Sequence, residues 1–106
     1  MSDVLKGAEV VVEFFPHASG GRKLPVTLGA GRYRPHLRVH EGEFLGVQFV
    51  SGPKVPALPG VLCKAVVCFM YPGVRYDSLT EGAEFQIVEG SHIVGRGRVI
   101  AQVTFA

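Results

Sequence analysis

No stretch of the chain longer than residues 61–71 is free of both glycine and proline, because 14 glycines and 7 prolines are spread through 106 residues. Long helices are thereby excluded: proline removes a helical hydrogen bond, and glycine in a helix interior costs about 1 kcal/mol relative to alanine. Nor is there a run of about 18 apolar residues that could cross a membrane as a helix. Asp3, Lys6, Glu9 and Glu13 interrupt any apolar leader near the N-terminus. Cysteine is scarce. Cys63 and Cys68 would stand roughly 16 Å apart on opposite faces of an extended segment, too far to bond to each other, and are expected as buried free thiols in a reducing compartment. A soluble cytoplasmic protein is the expectation.

Signatures of chemistry are missing as well. The chain has no GxxxxGK[ST] loop, so no nucleotide is expected to be bound by this chain alone, and no GTPase or ATPase activity. The glycine-rich run GSHIVGRG at residues 90–97 leads into a strand pattern and not a helix, which fails the dinucleotide-binding context; its glycines are expected to serve a turn and a bulge. His36 and His40 would be roughly 13 Å apart on a strand, beyond the reach of one zinc ion. No other spacing of His17, His92 and the cysteines matches a metal motif, so neither metal nor other cofactor is expected. Cys63 and Cys68 lie in the most apolar run, a poor setting for a nucleophile, and Asp77 and Ser78 have nothing nearby in sequence to activate them. Catalysis is not expected.

What is present is a pattern of short strands. With 47% hydrophobic and 19% charged residues the chain has the composition of a packed globular protein, and its length predicts one domain over residues 1–106. Between the glycines and prolines, residues 8–15, 32–40, 44–50, 61–71, 83–89 and 94–105 read as six strands. An all-β fold follows, and closing the sheet into a barrel removes the unpaired edges of an open one. Residues 61–71 are apolar on both faces apart from Lys64, as expected of a strand with the core on one side and a partner or other cover on the other.

The charge pattern is more informative than the formal net charge of +2. Arg32, Arg34, His36, Arg38 and His40 occupy alternate positions, with apolar Tyr33, Leu37 and Val39 between them, so an extended segment would turn all five outward as a basic ridge. No Asp or Glu occurs between Glu13 and Glu41, while Arg22 and Lys23 fall in that interval. Arg96 and Arg98 form a second pair on the last strand, where residues 96–105 are expected to alternate without interruption. Such a surface either serves solubility and edge protection or meets an anionic partner. Arg22, Arg32, Arg34, Arg38, Arg96 and Arg98 are the candidates for that anionic contact.

Four segments taken in order resemble the C-terminal barrel, the third domain, of the elongation factor Tu and elongation factor 1A family. Gly20, Gly21, Arg22 and Pro25 with Tyr33, Arg34 and Pro35 resemble its GGR..P...YRP signature. Pro59 and Gly60, then Lys64, Val66, Val67 and Pro72, resemble the strand that opens at Pro-Gly and closes at proline. Phe85, Ile87, Glu89, Gly90, Val94, Gly95 and Gly97 resemble its closing F.I.EG...G.G hairpin. The resemblance implies a closed six-stranded antiparallel barrel of Greek-key type, standing alone here without the nucleotide-binding domain and second barrel of the family. It further implies a translation-related role in binding tRNA or another structured RNA, with Arg34 and the turn at Glu89 and Gly90 at the RNA backbone. A second expectation is a protein-interaction module that mimics the factor's barrel and docks to a translation factor, either the exchange factor or the GTP-binding domain, through the two-sided apolar strand.

Overall fold

The computed structural model describes residues 5–105. Its strands are β1 (Leu5–Phe14), β2 (His36–Arg38), β3 (Leu45–Ser51), β4 (Cys63–Phe69), β5 (Glu84–Glu89) and β6 (His92–Phe105), and its only helical pieces among the described residues are the 3-10 turns His17–Ser19 and Leu28–Ala30. Every neighbouring pair is antiparallel, in the order β1-β4-β3-β2-β5-β6 with β6 returning to β1. Three consecutive strands, β2 to β4, lie side by side, and β1 packs beside β4, which is the Greek-key connection. The closed all-β barrel expected from the strand pattern is therefore present. No helix among the described residues is long and apolar enough to cross a membrane.

The period of two decides which side chains fill the interior. On β1, Ala8, Val10, Val12 and Phe14 are buried while Glu9, Val11 and Glu13 between them stay partly accessible. They meet Leu37 of β2, Leu45, Val47 and Phe49 of β3, Ala65 and Val67 of β4, Phe85 and Ile87 of β5 and Val99 of β6 in one continuous core, which Leu28 and Leu79 join from outside the strands. On β4 the outward side chains are Lys64, exposed, with Val66 and Cys68 half-covered. Cys63 is buried inside and Cys68 faces the other way; both are free thiols.

Three of the expected details need correction. First, the strand expected over residues 32–40 is regular only at His36–Arg38, because Pro35 has no N–H for the ladder and the backbone turns at His40, whose φ is +52°. Second, β6 does not alternate without interruption: Val10 pairs with Val99 and Glu9 with Ala101, so Ile100 is an extra residue, and beyond it Gln102 stands opposite Ala8. Third, the bulged residue near the β5–β6 turn is Val94, skipped between the pairs Val88 with Ile93 and Ile87 with Gly95, and not a glycine. Gly90 does serve the turn, with φ +59°. Gly95 and Gly97 have a different task, which is to leave room under the inward side chains of β5.

At Gly97 an added Cβ would lie 2.5 Å from the Val11 carbonyl oxygen and 2.7 Å from the Phe85 ring. Backbone cannot yield there, so Gly97→Ala is expected to destabilise the barrel by about 1 to 3 kcal/mol through overpacking. Gly73→Ala, where nothing lies within 4 Å of the added carbon, serves as the control and should stay within about 0.5 kcal/mol of the parent. Urea unfolding of the two variants measures both; equal midpoints would contradict the packing described.

Candidate functional site

The outer face beside β2 is where most of the candidate cations gather. Phe49 N–H donates to the Tyr33 carbonyl (2.9 Å) and Val47 N–H to the Pro35 carbonyl (3.1 Å), so pairing with β3 continues on the N-terminal side of β2, with Pro35 unable to return a bond. The segment is extended enough to keep its alternation. Arg32, Arg34 and His36 are exposed and Arg38 is half-buried, whereas Tyr33, Pro35 and Leu37 between them are buried. His40 leaves this row at the left-handed turn. Across the sheet, Arg38 pairs in register with Gln86, Gln86 with Arg96, and Arg96 with Glu13; one step along, Glu84 pairs with Arg98. Arg38 and Arg96 thus stand two strands apart on one wall, about 10 Å from each other at the backbone.

The structure divides these arginines into three groups. Arg22 bonds the Glu89 carboxylate, which also accepts the Tyr33 hydroxyl, and the Arg22 guanidinium lies 5.2 Å from the centroid of the Tyr33 ring. Arg22 is only 26% exposed. Its Nε donates to the Leu24 carbonyl at 3.0 Å. Arg96 Nε donates to Glu13 Oε1 at 2.6 Å. These two are internally partnered. Arg32, Arg34 and Arg98 form no ion pair with a carboxylate among the described residues. Arg38 is intermediate, with Nε donating to the Gly42 carbonyl at 2.8 Å and its guanidinium 4.6 Å from the Phe44 ring centroid.

Charge and burial shift the groups of the Arg22 network in ways that hold it together. Burial taken alone lowers the Arg22 pKa, but hydrogen bonding to Glu89 and the charges of Glu89 and Tyr33 outweigh it, and the net shift is upward. The Tyr33 phenol is raised far above its ordinary range, chiefly by burial and then by the hydrogen bond and charge of Glu89. Tyr33 is wedged between Phe14 (5.9 Å) and Phe49 (5.5 Å). The network therefore fastens the start of the β5–β6 turn to the loop before β2. The turn itself spans residues 90–91, with positive φ only at Gly90, the pattern of a type II′ hairpin turn. Gly90 is exposed with open space above it, so its backbone is accessible to a ligand.

Of the residues singled out in the sequence, Arg32, Arg34, Arg38, Arg96 and Arg98 share the outer wall, and Arg22, Glu89 and Gly90 gather at the hairpin end. Two features escaped the sequence reading. The bond between Tyr33 and Glu89 spans 56 positions, and no local pattern announces it. Phe44 stands on the outside next to Arg38; the signal for it was its phase, one position before the inward Leu45, Val47 and Phe49.

No family model and no curated protein matches the chain.

The Tyr33 hydroxyl supplies a pH test of this network. Tyr33→Phe removes one hydrogen bond to a carboxylate and should cost about 1 to 2 kcal/mol at neutral pH. The folded state holds the Tyr33 proton more tightly than the unfolded chain, so the stability it contributes is present below the unfolded tyrosine pKa near 10 and is lost as pH rises above it. Tyr76, raised mainly by burial, adds to the same loss and remains in the variant. Urea unfolding at pH 7, 10, 11 and 12 should therefore show a shallower alkaline decline in Tyr33→Phe than in the parent; identical slopes would contradict the network.

Proposed function

We propose that the protein is a non-catalytic binding module, related in role to translation and resembling the third barrel of the elongation factor Tu family, which takes the backbone of tRNA or another structured RNA along the outer face of residues 32–38. The observation that carries this reading is the row Arg32, Arg34, His36 and Arg38, exposed or half-exposed on one side of a strand whose other side is core. Guanidinium groups with free N–H forks suit phosphate oxygens. An RNA stem is read by shape, phosphate and 2′-hydroxyl contacts, which needs repeated cations on a rigid wall more than it needs a pocket. Gly90, with its open backbone, lies at the hairpin end of the same strands. A cytoplasmic location accompanies this role.

Because Arg22 and Arg96 are already paired, the contact rests mainly on Arg32, Arg34, Arg38 and Arg98. Four neutralised phosphates correspond to a log-log salt slope of roughly −2.8 to −3.6.

A second reading has its own observation. Leu24, Val55, Leu58, Val61 and Leu62 are each 50% exposed or more, and the Ala57 N–H bonded to the Val26 carbonyl at 2.8 Å ties together the two loops that carry them. Exposed apolar side chains of this kind suit a protein partner, here a translation factor that binds the family's barrel. Capture from lysate with and without nuclease separates the two, since a partner retained after nuclease favours the protein reading.

Titration of labelled tRNA at several salt concentrations tests the RNA reading directly. Binding should weaken steeply with salt, and replacing Arg34 and Arg38 by Ala should flatten the slope by roughly two phosphates' worth, about 1.4 to 1.8. No binding at 50 mM salt would end the reading; a variant slope equal to the parent's would end the assignment to this face.

A further inference from the structure

Phe44 is a large apolar side chain left 52% exposed beside Arg38 and His36, just after the exposed Glu41 and Glu43, where burial would be favourable and solubility would call for a polar residue. The register explains how it is held. His36 pairs with Gly46 and Leu37 with Leu45, so the next pair places Arg38 directly opposite Phe44, with His36 on the diagonal. Arg38 sits over the ring at 4.6 Å, tethered by its Nε to the Gly42 carbonyl, and the His36 ring meets Phe44 edge-on at 6.5 Å and 87°.

Two residues along the same strand a second aromatic side chain lies on the surface. Gly46 has no side chain, and the Tyr71 ring occupies the space where a Cβ would project. Tyr71 is held in place through its backbone: its N–H donates to the Tyr76 hydroxyl at 3.2 Å, that hydroxyl donates to the Gly46 carbonyl at 2.6 Å, and the Tyr76 ring is stacked on Phe69 at 4.3 Å. Tyr71 is nevertheless 51% exposed. Tyr71 thus covers Gly46, and Phe44 stands two residues before Gly46 on the same outer face, opposite Arg38 and next to His36.

We infer that Phe44 and Tyr71 form a stacking shelf for unpaired nucleobases, so that the RNA taken by this face is one with a stem and an adjoining single-stranded loop or end. The inference rests on the RNA reading above and names the class of RNA. A flat ring with a cation fixed over one face and cations along its flank matches a nucleotide, whose base stacks and whose phosphate pairs. Among the described residues only Nε of Arg38 is engaged in a hydrogen bond, which leaves the rest of its fork for the phosphate of the stacked nucleotide. A duplex with paired ends offers no free base and would use the arginines alone.

The test compares a stem-loop RNA with a blunt duplex of the same stem sequence, titrated against the parent protein, Phe44→Leu, Phe44→Tyr and Tyr71→Leu at several salt concentrations, the lowest of them 50 mM. The stem-loop should bind the parent more tightly than the duplex does. Phe44→Leu keeps an apolar side chain but loses the stacking face, and should weaken stem-loop binding by roughly 5-fold or more while changing duplex binding less than 2-fold. Phe44→Tyr should restore it. The salt slope of Phe44→Leu should equal the parent's, because no charge is removed. Tyr71→Leu should also weaken the stem-loop selectively; since Tyr71 covers Gly46, its thermal midpoint is measured alongside, and the exposed Phe44 carries the conclusion. Equal binding of both RNAs with Phe44→Leu indistinguishable from the parent would overturn the shelf and leave the backbone reading standing. Absence of binding to either RNA at 50 mM salt would overturn both.

Discussion

Closing six strands on themselves leaves an interior only wide enough for apolar side chains, and among the described residues no polar or charged side chain is buried. An ion placed there without a partner would cost several kcal/mol at the least. Every cation in a strand must therefore leave by the outer face, and the period of two places successive cations on that face at fixed spacing. The basic wall follows from closure itself. Arg32, Arg34, His36 and Arg38 can stand in a row only because Tyr33, Pro35 and Leu37 are held on the other side by Phe14, Phe49 and the rest of the core.

What closure leaves open is how many of those cations are free. The chain has nine Asp and Glu against eleven Lys and Arg, and among the described residues three of the acids form ion pairs: Glu89 takes Arg22 and also Tyr33, Glu13 takes Arg96, and Asp77 pairs with Arg75 at 2.7 Å on the loop that carries Tyr71. The Glu89 pair is sheltered and ties the β5–β6 hairpin to the loop before β2, so it acts on structure more than on ligands. The Arg75 pair is exposed and contributes little. Among the described residues no carboxylate pairs with Arg32 or Arg34, so these two cations are left without an internal partner of opposite charge.

The alternation over residues 32–38 was legible in the sequence because both its apolar and its basic members are there to be read, and the strands of residues 8–15, 44–50, 61–71 and 83–89 were found to within a few residues for the same reason. The ends were not. Proline in the β2 segment trims its ladder, the His40 backbone turns in a residue that ordinarily avoids positive φ, and the extra residues Val94 and Ile100 break the phase of β6 without any marking in composition. The arginines were legible as cations but not as free or occupied ones, since Arg22 and Glu89 lie 67 positions apart and Arg96 and Glu13 lie 83 apart. The aromatic side chains near Gly46 depend on a pairing across β2 and β3 and on a loop 25 positions further on, so they become visible only when the strands are in register.

We place the proposed RNA contact on one wall of the barrel, centred on β2. Amide and arginine side-chain NMR shifts of the isotopically labelled protein on adding a structured RNA measure this most directly. Changes concentrated at Arg32, Arg34, His36, Arg38 and Gly90 are expected, with Val55, Leu58 and Leu62 unmoved. Shifts confined to the apolar loops that carry Leu58 and Leu62, or spread evenly over the chain, would contradict it.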